Sequence, residues 1–479
     1  MSLFGTRRNV TAGLALTVAA FGTASPQAPS SADRYVGNWG GTLALPSAQL
    51  RLALTVTRES DGTFAGYMTS IDQGNAKIPA RITLNGDTLV VAMEMVHASY
   101  TAVVSVGKDS LHGSFTQGMV LPLDMVRAAP PPAMSHPQEP KAPFPYAAQD
   151  VSFESAAGVR LAGTVLLPPG KGPFPAVVLV TGSGPQDRNE ELLGHKPFLV
   201  IADFLARHGI ASLRYDDRGV GKSTGNFRGG TSADFADDAE AAVHFLRVQA
   251  GIARERVGIM GHSEGGLIAP MVAARSREVA FIVLLAGPGI PGDSILLLQQ
   301  ALISAASGVP PAQIKRAGDA NAQLFAAIRA ARDSTDAAAR IAEVSRRLVT
   351  TFPEAEQDLA SKQLHELGNQ LNYPWMRYFI AYDPRVALQK VHVPVLALGG
   401  TLDLQVPYKE NLSAIDTALK AAGNHDYRTV SLPRLNHLFQ TSTTGNPAEY
   451  ATISETFSPE ALALVEEWIN TRFAAHGKR

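Results

Sequence analysis

Residues 257–274 read VGIMGHSEGGLIAPMVAA, two apolar runs on either side of a glycine-rich segment that contains one serine. The first run, 257–260, is typical of a buried strand, and the second, from Leu267, is typical of a helix. The segment between them fits the pattern G-x-S-x-G, in which the chain turns sharply from strand to helix and raises the serine hydroxyl above a sheet. This context predicts Ser263 as a nucleophile.

A second copy of the pattern, GKSTG at residues 221–225, precedes it in the chain. The residues that follow, NFRGG at 226–230, predict a loop and not a helix. The segment also resembles the end of a phosphate-binding loop, but the position that requires a glycine is Asp216. We therefore predict Ser223 as a loop residue and Ser263 as the reactive one.

Beyond residue 150, apolar runs alternate with helix-like segments. We predict strands at 159–167, 176–181, 211–215, 257–260, 281–286, 393–398 and 427–432. We predict helices at 198–207, 234–248, 267–274, 411–421 and 459–475. This alternation implies right-handed crossovers and a doubly wound, mostly parallel sheet of the α/β class. An Ala-, Leu- and Gln-rich stretch, 290–385, interrupts the alternation and is predicted as a helical cap insertion.

The N-terminal part of the chain has a different pattern. Residues 33–127 alternate apolar and polar side chains over short runs separated by turn signals, which is typical of a small antiparallel β-barrel or sandwich. Seven prolines between residues 128 and 149 predict an extended linker. Residues 150–479 are therefore predicted as a separate α/β domain.

Residues 1–24 resemble an export signal. Arg7 and Arg8 precede a short apolar segment, and Gly22-Thr23-Ala24 forms a small-x-small cleavage site. The two arginines are similar to a twin-arginine signal, and an uncleaved membrane anchor is the alternative. From this signal we expect an exported protein, periplasmic or secreted. Because no later apolar stretch is long enough to span a membrane, we expect no stable membrane span in the mature form.

Composition narrows the functional classes. Lys plus Arg is 42 and Asp plus Glu is 43, so no excess positive charge is available to bind nucleic acid. The chain has no cysteine, which excludes a thiol nucleophile and thiolate metal sites. We expect no cofactor and no metal, and the sequence does not determine the oligomeric state.

A serine hydroxyl needs a base, and the base needs a carboxylate that orients it. In a doubly wound hydrolase both follow the serine, on loops after later strands. Asp403 follows the predicted strand 393–398, and His437 follows the strand 427–432. Two rivals are His425 and Asp383, each of which precedes its strand. His262, beside the serine, is predicted to shape the turn and not to act as the base.

The reaction also needs donors for an oxyanion. One is the main-chain N–H after the nucleophile, on Glu264, and the other comes from the loop after the third strand. That loop reads TGSGPQDR at 181–188, and we expect its second donor to be Ser183, with Gly184 next. A loop turn without function is the alternative.

Several motifs together resemble one family. They are TGSGPQDR at 181–188, YDDRGVGKS at 215–223, GHSEGG at 261–266, Asp403 and Asn436-His437. In this order they resemble bacterial exported α/β-hydrolase esterases of the EstD type, over most of residues 150–479 apart from the insertion. These esterases are similar to the hydrolase domains of prolyl-oligopeptidase-like peptidases and to acyl-CoA thioesterases. The N-terminal strands resemble a β-barrel module that often precedes such domains.

The resemblance implies a serine carboxylesterase that needs no cofactor and acts on a small-molecule ester with a small to medium acyl group. It implies a bracing role in a loop for Asp217 and Arg218. A peptidase of this kind usually carries an N-terminal β-propeller, which ~90 residues cannot form, so an ester is favoured over a peptide. The alternatives are a serine peptidase or aminopeptidase, an acyl thioesterase, and a non-enzymatic envelope binding protein with a relict hydrolase fold.

Aromatic residues cluster near the end of the insertion, and two interpretations of them stay open. These residues are Tyr373, Trp375, Met376, Tyr378 and Phe379. They either line an acyl pocket or form a helix face that packs on the core.

Overall fold

The computed structural model describes residues 31–44, 49–59, 61–71, 76–93, 96, 98–107, 109–117, 119–130, 136–156 and 158–473. The predicted export signal, 1–24, lies outside the described residues. The chain forms two compact units, an N-terminal β unit and a larger α/β unit.

The N-terminal unit is a closed antiparallel barrel of eight strands in sequential order. Its strands are β1 (Gly37–Ala44), β2 (Gln49–Arg58), β3 (Phe64–Ser70), β4 (Ala76–Asn85), β5 (Thr88–Met93), β6 (Ala98–Val104), β7 (Ser110–Gln117) and β8 (Met119–Arg127). Pairing of β1 with β8 closes the barrel and removes open sheet edges. Trp39 is fully buried in it and donates from Nε1 to the Tyr35 carbonyl oxygen at 2.9 Å. The prediction of a barrel or sandwich is thus resolved as a barrel.

The second unit contains an eight-stranded sheet in the order β16-β15-β14-β13-β11-β12-β10-β9. The strands are β9 (Ala147–Glu154), β10 (Arg160–Leu167), β11 (Phe174–Val180), β12 (Ala211–Tyr215), β13 (Ile252–His262), β14 (Ile282–Leu285), β15 (Val395–Gly400) and β16 (Tyr427–Leu432). β10 is antiparallel to both of its neighbours, and the pairs from β12 to β16 are parallel. This is the predicted α/β-hydrolase arrangement, and the fold class is confirmed.

Strand β9 was not predicted. It begins at Ala147, three residues ahead of the predicted start of the α/β domain at 150, within the segment assigned to the linker. Most of its side chains are exposed at the sheet edge, so its sequence lacks the apolar pattern of a buried strand. Its pairing with β10 defines it as a strand.

Helices cover both faces of this sheet. They are α1 (Pro197–Arg207), α2 (Ser232–Arg247), α3 (Glu264–Ala273), α10 (Tyr408–Ala421) and α11 (Pro459–Phe473). Val178 of β11 packs in the core with α2, α3 and α10, whereas its neighbour Val177 packs in the opposite core with α1 and α11. Because successive side chains of a strand point to opposite faces, the central strands are apolar throughout.

The predicted helical insertion lies between β14 and β15. It consists of α4 (Gly292–Ala306), α5 (Pro311–Arg329), α6 (Ser334–Val349), α7 (Gln357–Leu371), α8 (Pro374–Ala381) and α9 (Arg385–Leu388). These helices have a small core of their own, which includes Phe325, Ile341 and Ile380. Among the described helices, none combines the length and apolar composition that crossing a bilayer requires.

Phe281 provides a test of core packing. Its ring is fully buried, stacks on Phe473 with centroids 4.5 Å apart, and fills the space beside Gly258. Replacement of Phe281 by Ala leaves a cavity there, and we expect the free energy of unfolding to fall by about 3–5 kcal/mol in urea denaturation followed by circular dichroism. Val248→Ala, at a 62% exposed position, should stay within about 0.5 kcal/mol of the parent. An unchanged midpoint for the Phe281 variant would contradict this account of the core.

Candidate active site

The serine of the glycine-rich turn stands between β13 and α3. Ser263 has φ +50° and ψ −115°, a left-handed conformation that costs free energy for a residue with a side chain. Its N–H donates to the Leu285 carbonyl oxygen of β14 at 2.9 Å, which holds the turn on the sheet. The structure thus places Ser263 at the carboxyl end of β13, as predicted.

The glycines on either side of Ser263 permit this turn because main chain packs directly on main chain. A Cβ at Gly261 would lie 2.0 Å from the Gly265 carbonyl oxygen. A Cβ at Gly265 would lie 2.1 Å from the Val180 carbonyl oxygen at the end of β11. No side chain fits at either position without moving α3 away from the sheet.

The predicted base and acid are hydrogen-bonded to each other. His437 Nδ1 lies 2.9 Å from Asp403 Oδ2, and both side chains are buried. The other carboxylate oxygen, Oδ1, accepts from the N–H groups of Gln405 and Val406, each at 2.8 Å. Three donors therefore surround the Asp403 carboxylate, and the bond to Oδ2 places a proton on Nδ1 of His437.

The loop that carries His437 is braced by its neighbour. Asn436 is fully buried, and its Oδ1 accepts from the N–H groups of Leu438 at 3.0 Å and Gln440 at 2.9 Å. Its Nδ2 donates to Gln440 Oε1 at 3.0 Å. The amide thus holds the tight turn after β16 that presents the histidine.

Ser263 and His437 line one cavity of about 110 Å³. The rest of its wall comes from the loops after β11, β15 and β16, from the end of β13 and from the start of α1; its residues are Gly182, Ser183, Gln186, Glu190, Leu192, His195, Pro197, His262, Gln405, Leu438 and Thr456. Since Asp403 is bonded to His437, the structure brings all three predicted catalytic residues to one site. Within the described residues, no group of three or more His, Asp or Glu side chains is arranged to hold a metal ion.

The three predicted oxyanion residues do not all line this cavity. Ser183 lines it, and Gly184, the next residue, has φ +96°. Glu264 is the first residue of α3, where a main-chain N–H has no partner within the helix. Its buried side chain serves elsewhere, because Oε1 accepts from Ser232 Oγ at 2.6 Å and from Trp375 Nε1 at 2.7 Å. Burial raises the pKa of this carboxyl.

The rival residues have other partners. Ser223 Oγ donates to the Asp216 carbonyl oxygen at 2.7 Å and accepts from the Ala162 N–H at 2.9 Å, so it joins a loop to β10. Asp383 is ion-paired with Arg385. His425 is exposed and precedes β16, at the opposite end of that strand from His437.

Comparison with known proteins identifies the family. The family model described as X-Pro dipeptidyl-peptidase (S15 family) matches residues 157–438, more than half of the chain. The chain belongs to the S15 family. The resemblance to EstD-type α/β-hydrolases is likewise confirmed, whereas export remains a prediction.

This S15 member is similar to two curated proteins and to one solved structure. Esterase EstD of Thermotoga maritima is 36% identical over 136 residues, which cover 28% of this chain and 32% of EstD. The uncharacterized protein PA2218 of Pseudomonas aeruginosa is 29% identical over 136 residues, 28% of this chain and 35% of that protein. The matched stretches thus span about a third of these relatives. The esterase Pf2001 of Pyrococcus furiosus has 16% identity, covers 71% of this chain and 99% of its own, and gives a TM-score of 0.41.

Three residues of the aromatic cluster in the S15 chain's insertion pack on the protein, and none of the cluster is among the residues that line the cavity beside Ser263. Trp375 stacks on Phe379 with centroids 5.3 Å apart and donates to Glu264. Phe379 is buried, and Met376 packs on the core of the insertion. The packing interpretation therefore holds for these three residues, and through Trp375 the insertion is bonded to the helix that follows the nucleophile.

Asp217 braces the loop that contains Ser183, as the resemblance implied. Its Oδ1 accepts from Thr181 Oγ1 at 2.8 Å and its Oδ2 from the Gln186 N–H at 2.9 Å. Burial raises the pKa of this carboxyl to about 8, against the lowering effect of those two donors. Arg218 braces α2 in the same way, donating to Asp238 at 2.7 and 2.9 Å.

Sequence reasoning missed the role of Glu190 and the contacts of His262. His262 Nδ1 lies 2.9 Å from Glu190 Oε1, and both side chains are buried beside the cavity. The residues that narrow the cavity, among them Leu192, His195 and Thr456, were missed as well. Their segments carry no spacing pattern, so no local signal pointed to them.

The raised pKa of Asp217 predicts a pH-dependent stability. Between its ordinary value of 3.8 and about 8, the folded chain binds a proton that the unfolded chain does not. Stability from this group is therefore lost as the pH rises through that window. We expect Asp217→Asn to show a shallower decline of melting temperature than the parent between pH 5 and pH 8. Asp319→Asn, at an exposed carboxylate, is the control, and parallel curves for Asp217→Asn and the parent would refute the prediction.

Proposed function

We propose that this S15 chain hydrolyses carboxylic esters through Ser263, His437 and Asp403. The observation that carries the proposal is the 2.9 Å bond from His437 to Asp403 at a cavity shared with the strained Ser263. With Nδ1 donating to the carboxylate, Nε2 of His437 is free to accept a proton from the serine hydroxyl. The similarity to EstD supports an ester as substrate, and the hydrolase fold supports acyl transfer.

The reaction proceeds in two steps. Ser263 Oγ attacks the acyl carbonyl carbon while His437 takes the hydroxyl proton, and the same imidazolium then protonates the departing alcohol. The N–H groups of Ser183 and Glu264, with Gly184 adjacent, stabilise the negative oxygen. Water then attacks the acyl-enzyme, with His437 again as base, and releases the acid. No cofactor takes part in these steps.

The size of the cavity indicates the acyl group. A cavity of 150 Å³ is large enough for benzene, and the cavity beside Ser263 is smaller, about 110 Å³. Leu192, Pro197 and Leu438 supply its apolar wall. We infer a preference for short acyl chains. The export of the enzyme to the periplasm or medium is part of the proposal and rests on residues 1–24 alone.

The choice of nucleophile is tested with a fluorophosphonate probe and an acetyl ester. Ser263→Ala should abolish labelling and lower kcat by a factor on the order of 10⁴ or more. Ser223→Ala should keep labelling, while losing about 1–3 kcal/mol of stability because the Ala162 N–H loses its acceptor. Labelling that persists in Ser263→Ala would reverse the assignment, and a folded parent without label would favour a binding protein.

The substrate class is tested with p-nitrophenyl esters of acyl length two to eight and an X-Pro p-nitroanilide. We expect kcat/KM to be highest for the acetyl to butyryl esters and to fall for the octanoyl ester, because the cavity admits only a short chain. The S15 match favours a dipeptidyl-peptidase as the second candidate. Faster turnover of the X-Pro amide than of every ester would establish that function instead. An acyl thioester in the same panel tests the thioesterase alternative.

A further inference from the structure

A buried histidine stands directly before the nucleophile and contacts the base. The His262 ring lies 4.9 Å from the His437 ring, measured between centroids. Its Nε2 lies 2.9 Å from the main-chain carbonyl oxygen of His437, and its Nδ1 lies 2.9 Å from Glu190 Oε1. Neither contact is the bond between His437 and Asp403 described above.

The two partners determine where the protons are. A carbonyl oxygen only accepts, so Nε2 of His262 must carry a proton. Glu190 Oε1 also accepts from the Gly182 N–H at 2.6 Å, as expected of a carboxylate oxygen. In the protonated ring Nδ1 donates as well, to Glu190 Oε1, so both nitrogens of His262 have acceptors. Burial opposes this charge, but the Glu190 carboxylate, the His437 carbonyl group and the Asp403 carboxylate together outweigh burial and raise the pKa of His262.

This pair connects three separate parts of the site. Gly182 directly precedes Ser183 in its loop, His262 is joined to Ser263 by a peptide bond, and the carbonyl group that accepts from Nε2 belongs to His437. Asp403 orients the ring of His437, whereas His262 holds its main chain. Glu190 is itself held in a left-handed conformation, φ +52°.

We propose that Glu190 and His262 are positioning residues that set the distance between nucleophile and base by holding the main chain of His437 against the residue before Ser263. The inference rests on the proposed function, in which His437 is the base. Both nitrogens of His262 are occupied, so it exchanges no proton with substrate. Misplacement of reacting groups by about 1 Å can cost 10²-fold in rate, which gives the scale of the effect.

The proposal predicts a loss of activity at alkaline pH. The groups that face His262 are the Glu190 carboxylate, the His437 ring and carbonyl, the Asp403 carboxylate and the Phe439 ring. As the pH rises through the raised pKa of His262, the ring loses one proton. The remaining proton stays on Nδ1, toward the carboxylate, and Nε2 no longer donates to His437. We therefore expect kcat to fall at a pH above the ordinary histidine value of 6.5.

Two substitutions separate the two contacts. In His262→Gln the side-chain amide reaches the position of Nε2 and keeps donation to His437, whereas in His262→Asn it reaches only the position of Nδ1. With acetyl ester as substrate, we expect His262→Asn to lower kcat by roughly 10- to 100-fold with little change in KM. His262→Gln should retain most of the parental kcat and should lack the alkaline decline, because its amide does not titrate.

Controls distinguish positioning from folding. Rates are divided by the active-site concentration obtained from fluorophosphonate titration, which removes any unfolded fraction. His244→Asn serves as the matched control, since His244 also pairs with a glutamate, Glu278, at 3.0 Å but is exposed. Equal normalised kcat values for the parent, His262→Asn and His262→Gln would overturn the positioning role alone. A folded parent that is not labelled at Ser263 would overturn the proposed function and the inference together.

Discussion

Direct contact of main chain with main chain at the turn between β13 and α3 is the constraint on which the site depends. Gly265 lies so close to the end of β11 that a single Cβ would overlap the Val180 carbonyl oxygen. Because of this contact α3 begins at Glu264, close to the end of β13, and Ser263 joins the two elements in a strained conformation. The surrounding sheet stabilises the strain, since the N–H of Ser263 is bonded to β14. The roles proposed for Ser183 and His437, on two other loops, depend on this fixed position of Ser263.

Buried charge is the second organising feature of the site. Asp403 is surrounded by three donors and Glu190 is paired with an imidazolium, so each carboxylate has compensating partners. Asp217 and Glu264 have neutral donors only, and burial raises the pKa of both. Asp403 contacts the base and Glu190 contacts His262 and the Gly182 N–H, whereas Asp217 braces the loop of Ser183 and Glu264 joins α3 to the insertion. Charge is thus concentrated where proton transfer is proposed.

Much of the fold was predictable because its signals are local. The central strands β11, β13 and β15 are covered on both faces and appear in the sequence as apolar runs, whereas the edge strand β9 is exposed and was missed. Ser263, Asp403 and His437 could be predicted as a set because a strand precedes each of them and the order of the chain limits the choices, and the structure brings them to one site. The sequence did not decide what the aromatic residues of α8 contact, since an apolar helix face has the same sequence pattern whether it packs on protein or lines a pocket.

Local sequence was sufficient for the turn at Ser263, for the alternation of strands and helices, and for the antiparallel strands of the N-terminal unit, because each depends on neighbouring residues and on a period of two or 3.6. The closure of those strands into a barrel was decided by the structure. Contacts between distant segments required the folded chain. Glu190 and His262 are 72 residues apart, and His262 and the carbonyl group of His437 are 175 apart, with no spacing rule to connect them. The protonation of His262, the volume of the cavity and the hydrogen-bonding role of Ser223 follow from such contacts. Packing of the whole sheet brings these groups together, and only the tertiary structure determines it.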